Sequence, residues 1–336
     1  MKLKKIVIFV IIFILTIVAV LYIINNKSKG SMQNDINNTD NNSNNQIIEK
    51  ISEYNDPPVP HGFKKIETET ASWEIENGVP KGWNDGLVIE DEIGNQFVWI
   101  PIKTGSLGAS ENVSRLPQSI NSQNDQIKKY GGFYVSRYEA GVSAKMQNIN
   151  DNISEETNDI NGIPVSKKGV RPWNYIGYDN AKANSESMYS NEYIQSGLIT
   201  KSQWSAIISF FSRTYDTETE LEVDSTNIGN YSNSDFKFTG LYSTDNGKSY
   251  KYGKDIDKYE DTKLILSTGL TDRNKKYNIY DLAGNLVELT TSDSQGRIYI
   301  TGGSYLDGGI TSLSNIDSIV INPNSKIGFR VVLYIK

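Results

Sequence analysis

The pattern of apolar and polar positions divides the chain at once. Ile6 to Ile24 is an uncharged run of Ile, Val, Leu and Phe, and Lys2, Lys4 and Lys5 precede it. At about 1.5 Å of rise per residue, a helix of this length spans the ~30 Å hydrocarbon layer. The lysines ahead of the run favour a cytoplasmic N-terminus at residues 1–5, although Lys27 and Lys29 just after it weaken the asymmetry. A cleaved signal peptide is the rival reading, but its apolar region is shorter and ends at small residues. Here the run ends in Leu21-Tyr22-Ile23-Ile24. The expectation is therefore a transmembrane anchor over 6–24, and both readings put the remainder outside the cytoplasm. Residues 25–55 are nearly all polar and Asn-rich, too poor in apolar surface to offset the cost of ordering, and read as a flexible stalk.

The pattern of a folded domain, 56–336, begins at Asp56-Pro57-Pro58-Val59-Pro60. Leu87 to Ile89 and Gln96 to Ile102 read as two strands about a Gly94-Asn95 turn, and Phe133 to Tyr138 as another strand. Thr104 to Lys129 and Gln147 to Asn161 are polar and read as loops, and Tyr178 to Tyr189 as a short helix. A longer helix opens at Thr200, where Thr200 and Gln203 form a T-x-x-Q capping box. Trp204, Ile207, Ile208 and Phe211 then fall on one face and pack a core rather than a ligand. Asp224 to Thr271 reads as loop laid over a scaffold. Arg297 to Thr301 and Ile327 to Ile335 read as strands, the last apolar enough to lie inside a sheet. No internal repeat is present.

Composition then removes whole classes of chemistry. The 336 residues include no cysteine and one histidine, His61. Disulfides, thiolate catalysis, Cys-ligated zinc and a multi-histidine metal site within one chain are excluded. The net charge of -6 and the lack of a basic cluster speak against nucleic acid as a partner.

One stretch carries more identity than the rest: Asn278-Ile279-Tyr280-Asp281-Leu282-Ala283-Gly284-Asn285-Leu286-Val287-Glu288-Leu289-Thr290. Gly302-Gly303-Ser304-Tyr305 follows, and Gly328-Phe329-Arg330 comes near the end. In this order the segments resemble the formylglycine-generating enzyme, or sulfatase-modifying-factor, family. Phe133 to Ala140, Pro172-Trp173 and Leu198 to Trp204 are similar to further parts of it, so the resemblance runs from about Phe97 to Lys336. It implies an α+β, C-type-lectin-like fold with short sheets, few helices and extensive loops.

The departures bear on function. The family's enzymes use two cysteines a few residues after Gly-Gly-Ser to bind copper, and those positions fall near Asp307 and Ser312 here. A related branch binds iron through histidines, and His61 lies outside the matching segments. No copper, iron or zinc is expected, and oxidase chemistry is not. Val287 and Leu289 replace the tryptophans that flank the family's acid, which remains as Glu288.

The resemblance also implies a calcium site at Asp281, Gly284, Leu286 and Glu288. Calcium takes oxygen ligands, carboxylates and backbone carbonyls among them. The other reading is a tight left-handed turn at Gly284-Asn285, with Glu288 paired to an arginine such as Arg330. Asn227-Ile228 matches part of a second calcium site in the family. Asp307 is the candidate ligand-contacting residue, with a surface turn as the alternative.

The resulting expectation is a membrane-anchored, non-enzymatic binding or display module whose ligand is an extracellular glycan, cell wall or protein. The alternatives are a structural part of a surface assembly and an enzyme that uses carboxylates in the family cleft.

Overall fold

The computed structural model describes residues 56–76, 78–102, 129–143, 152–214, 224–291, 297–309, 316–318 and 322–336. By internal contacts the chain divides into Met1–Glu53 and Tyr54–Lys336. The expected anchor and stalk, the Thr104 to Lys129 loop up to residue 128, and Ser312 lie outside the described residues. Among those described, no helix is long and apolar enough to cross a membrane.

The elements run β1 (Phe63–Ile66), β2 (Ile75–Glu76), β3 (Val79–Pro80), β4 (Val88–Asp91), β5 (Gln96–Pro101) and β6 (Gly132–Ser136). Then come α1 (Glu155–Asn158), α2 (Tyr178–Ser187), β7 (Ile194–Leu198), α3 (Lys201–Thr214), β8 (Phe236–Ser243), β9 (Lys251–Lys258) and β10 (Ile265–Leu266). Last are β11 (Lys275–Lys276), β12 (Ile279–Tyr280), β13 (Val287–Thr290), β14 (Tyr299–Thr301), β15 (Ile316–Ser318), β16 (Ile327–Phe329) and β17 (Val331–Ile335). The class is mixed: several sheets and few helices.

The largest sheet is six-stranded, in the order β1-β4-β5-β6-β17-β7. Every pairing in it is antiparallel. β5, β6 and β17 at its centre are mostly apolar because both faces are covered. Side chains alternate across a strand, so Phe97, Trp99, Val331 and Leu333 enter one core with Trp173, Ala181 and Phe329. Val98, Ile100, Val332 and Tyr334 enter the other, against Trp204, Ile207, Ile208 and Phe211 of α3.

The capping box is formed in both directions. The Thr200 N–H donates to Gln203 Oε1 at 3.0 Å, and the Gln203 N–H donates to Thr200 Oγ1 at 3.0 Å. Gln203 Nε2 also donates to the Tyr334 hydroxyl at 3.1 Å, which ties the start of the helix to β17. The β4–β5 turn is set by Asp91, whose Oδ1 accepts the N–H groups of Ile93 and Asn95, while Gly94 takes φ 89°.

Three expectations need correction. Asp224 to Thr271 is not plain loop: β8 pairs with β9 and β10 in a three-stranded sheet. That sheet has its own core of Phe238, Tyr242, Leu264 and Leu266. The apolar side chains of F-K-F-T-G-L-Y alternate with polar ones and cover one face only, so average polarity hides the strand. Within Gln147 to Asn161, Ser154 and Thr157 close one short helical turn, α1. Finally, Ile327 to Ile335 is two strands. β16 runs parallel to β13 in a four-stranded sheet ordered β15-β14-β13-β16, and β17 belongs to the six-stranded sheet. The chain changes sheets at Arg330.

Replacing Gln203 with Ala removes the cap and the Tyr334 contact together. Urea unfolding should show a loss of about 1–2 kcal/mol; a change within about 0.3 kcal/mol would mean that the box contributes nothing.

Candidate functional site

The Asp281 to Glu288 segment owes its path to three left-handed residues, Asp281 (φ 57°), Gly284 (φ 73°) and Asn285 (φ 59°). Asp and Asn tolerate this region better than other side chains, and glycine enters it freely. Gly284 is also required by space, since a Cβ there would sit 2.4 Å from the Asn230 carbonyl oxygen. The strained path turns Asn285 into a hub. Its N–H donates to the Asn230 carbonyl at 2.8 Å, and its Oδ1 accepts from Leu266 N–H at 2.9 Å and Asn230 Nδ2 at 3.0 Å. Its Nδ2 donates to Glu139 Oε2 at 2.6 Å, and the Leu286 N–H donates to Glu139 Oε1 at 3.0 Å.

Four charged side chains meet in the interior beside this hub. Glu139, Asp281 and Glu288 are each 1% exposed, and Arg330 is 0% exposed. Arg330 Nη2 and Nε reach Glu288 Oε1 at 2.6 and 2.8 Å. Its Nη1 donates to the Ser136 carbonyl at 3.0 Å and its Nη2 to the Tyr280 carbonyl at 2.8 Å. Asp281 Oδ2 accepts from Gly269 N–H at 2.6 Å and its Oδ1 from Asn274 Nδ2 at 3.3 Å. Glu139 was visible in the sequence only as part of a strand motif, and Asn285 only as a turn residue. A lone acid that ends an apolar strand was the available signal.

Three carboxylates sharing one guanidinium cannot all ionise freely. Burial pushes the Glu139 carboxyl well above the usual carboxylate range, and Asp281 and Glu288 add to the push. Burial also raises Asp281, against the Gly269 N–H and Arg330. It raises Glu288 too, opposed chiefly by Arg330.

Whether calcium fits the expected positions turns on Glu288. A hard cation needs several oxygen ligands around one point, and here a guanidinium is bonded to that carboxylate. Asp281 Oδ2 and Oδ1 each accept one N–H group, and Arg330 takes Glu288 Oε1 while the buried Oε2 has no hydrogen-bond partner among the described residues. Among the described residues, no group of three or more ligating side chains is placed to hold a metal ion. Of the two sequence readings, the salt-bridged turn matches the pairing of Glu288 with Arg330, and the calcium reading is tested by the calcium measurement below.

Asp307 lies elsewhere, in the segment after β14, and is partly exposed. Its Oδ2 accepts from the Ser304 N–H at 2.8 Å and the Ser304 hydroxyl at 2.6 Å. Its carbonyl accepts from the Ser232 N–H and hydroxyl, both at 2.9 Å. Asn233 Oδ1 accepts from Gly309 N–H at 2.9 Å, and the Ser225 N–H donates to the Gly309 carbonyl at 2.7 Å. The 304–309 segment is thus laced to a second loop, 225–234. Asn227 and Ile228 sit in the short 3-10 turn of that loop.

No family model matches this chain, and no curated protein matches it. A solved structure described as the crystal structure of CarF is similar over 61% of this chain and 87% of that chain. The identity is 13% and the TM-score 0.29, a likeness too slight to support any statement about fold or function.

Two outcomes are expected. A carboxyl raised in the folded state holds a proton that the unfolded chain has released, so its stabilising contribution is fullest below the unfolded value of about 4.3. That contribution falls as pH rises through the folded value. The urea midpoint should therefore drop with pH on the acid side of neutrality, and Glu139→Gln should flatten the slope; an unchanged slope in that variant would contradict the assignment. Separately, millimolar calcium and a chelator should leave the melting temperature alike. A calcium-dependent rise that Glu288→Gln abolishes would restore the ion.

Proposed function

We propose that this chain is a membrane-anchored, extracytoplasmic binding or display module on a formylglycine-generating-enzyme-like, C-type-lectin-like scaffold, without oxidase activity. The observation that carries the reading is the commitment of the interior chemistry to structure. Burial raises the carboxyls of Glu139, Asp281 and Glu288, a feature that often marks active sites. They are sealed from solvent and bonded within the chain, so a substrate does not reach them. This favours binding over a carboxylate enzyme.

What remains available is the loop surface. Binding residues commonly sit on loops held by a rigid frame, and the 225–234 and 304–309 loops are such a pair. Asp307 is a partly exposed residue there, and a carboxylate suits hydrogen bonding to the hydroxyls of a glycan or cell-wall polymer. The absence of cysteine from the whole sequence removes the thiolate pair on which the family's copper chemistry rests. The apolar run at 6–24 supplies the anchor and 25–55 the reach.

Two measurements test the reading. The full chain in detergent should be retained on purified peptidoglycan or on a glycan array, and Asp307→Ala should weaken retention. Protease added to intact cells should cleave the 56–336 region. A chain that binds no polymer and purifies only within a larger membrane complex would favour a structural part of a surface assembly instead. Conversion of a peptide thiol to an aldehyde would defeat the proposal outright.

A further inference from the structure

The 225–234 loop has an unusual interior. Arg273 Nη1 donates to the Gly229 carbonyl at 2.7 Å, and its Nη2 donates to the Thr226 carbonyl. Lys258, at the end of β9, is 0% exposed. Its ammonium donates to the carbonyls of Tyr231 at 2.6 Å, Ser234 at 2.7 Å and Ser232 at 3.4 Å. Carbonyls from five residues of one loop thus turn inward onto two side-chain cations. Backbone carbonyls are also among the ligands that hard metal ions take. The charges here are covalently tethered.

Burying an ammonium is costly without compensation. Burial and the nearby Arg273 push the Lys258 pKa down to about 8, with Asp235 acting in the opposite sense. Lys258 is therefore still charged at neutral pH, and its hydrogen bonds to the carbonyls are charge-assisted, the stronger kind. The outer side of the same loop holds the other segment. Ser232 holds the Asp307 carbonyl, Asn233 holds the Gly309 N–H and Ser225 holds the Gly309 carbonyl.

We propose that Lys258, assisted by Arg273, is an internal cation that orders the 225–234 loop and thereby positions Asp307 and the 304–309 segment for ligand. Lys258 is a positioning residue: its ammonium lies behind the loop and does not face the ligand side. The inference rests on the reading of the Asp307 face as the binding surface, but its first test does not.

That test uses the full chain in detergent and hydrogen exchange at neutral pH. Lys258→Met keeps an unbranched apolar stem and removes the ammonium. Exchange should quicken about tenfold or more in residues 225–234 and 304–309, the factor implied by loss of a charge-assisted hydrogen bond. Amides of the six-stranded sheet should keep their protection. Wild-type exchange rates in both loops would overturn the proposal, as would an even loss of protection across the domain. A second measurement needs no variant. Lysine-selective nitrogen labelling of the wild-type chain should show one ammonium protected from solvent exchange at mildly acid pH, and its absence would also refute the proposal. Retention on purified peptidoglycan separates the two readings. If wild-type chain is not retained, the binding function fails while the exchange result still decides Lys258. If Lys258→Met loosens both loops and is retained fully, Asp307 does not depend on Lys258 for binding and the positioning role is lost.

Discussion

The fully buried pair between Arg330 and Glu288 is the constraint on which the two largest sheets depend. The chain leaves β16 in one sheet and enters β17 in the other with a single residue between them. That residue carries a charge with no path to water. Its guanidinium binds Glu288 on β13, the Ser136 carbonyl at the end of β6 and the Tyr280 carbonyl on β12. Three elements far apart in sequence are thereby fixed to one point. Such a pair adds little net stability, because desolvation of both ions offsets much of the attraction. Its effect is specific. Shifting either sheet by one residue would leave a buried charge without its partner, which costs about 3–5 kcal/mol. The junction therefore selects a register more than it strengthens the fold.

The same site explains why a loop rather than a strand holds the most distinctive sequence. Asp281, Gly284 and Asn285 all adopt left-handed backbone, and the two that carry side chains need compensation from their surroundings. Asn285 supplies it with bonds to Asn230, Leu266 and Glu139. Glu139 in turn is oriented by Asn285 and by the Leu286 amide. The D-x-x-G-N spacing is thus a description of backbone geometry first. A calcium ion and a salt-bridged turn both ask for acids at either side of a Gly-Asn turn, so the pattern alone leaves them level. The ion pair with Arg330, forty-two residues away from Glu288 in the chain, is the pairing that the second of them describes.

Legibility in the sequence followed how local the cause was. The capping box of α3, its apolar face and the β4–β5 turn depend on residues within a few positions of one another, and each was readable. The break at Arg330 was not, because it arises from a partner on another strand, and the flanking residues are uniformly apolar. The β8–β9 sheet was missed for a different reason. β9 carries Lys, Asp and Tyr on an outward face, and its buried positions are Gly253 and Lys258. A strand whose buried side chain is a lysine does not resemble a strand by hydropathy. The bond between Ser304 and Asp307 has a local cause, since the two stand three residues apart. The bonds from Ser232 and Asn233 that hold this segment lie about seventy-five residues upstream and leave no local mark.

Charge in this domain is arranged in two tiers with different consequences. Beside the Asn285 hub, three carboxyls face the single guanidinium of Arg330, and each accepts from a defined donor; altering one disturbs the junction of the sheets. In the 225–234 loop the balance is reversed, with cations from the chain facing neutral carbonyls. Backbone carbonyls are present whatever the side chains are, so the residues of that loop can change without loss of the acceptors that hold it. The segment it supports gains the same freedom, because it is held largely through its own carbonyl and N–H groups at Asp307 and Gly309. A surface fixed by backbone groups and underlain by tethered charge stays ordered while its exposed side chains vary. Such an arrangement suits the display role proposed above.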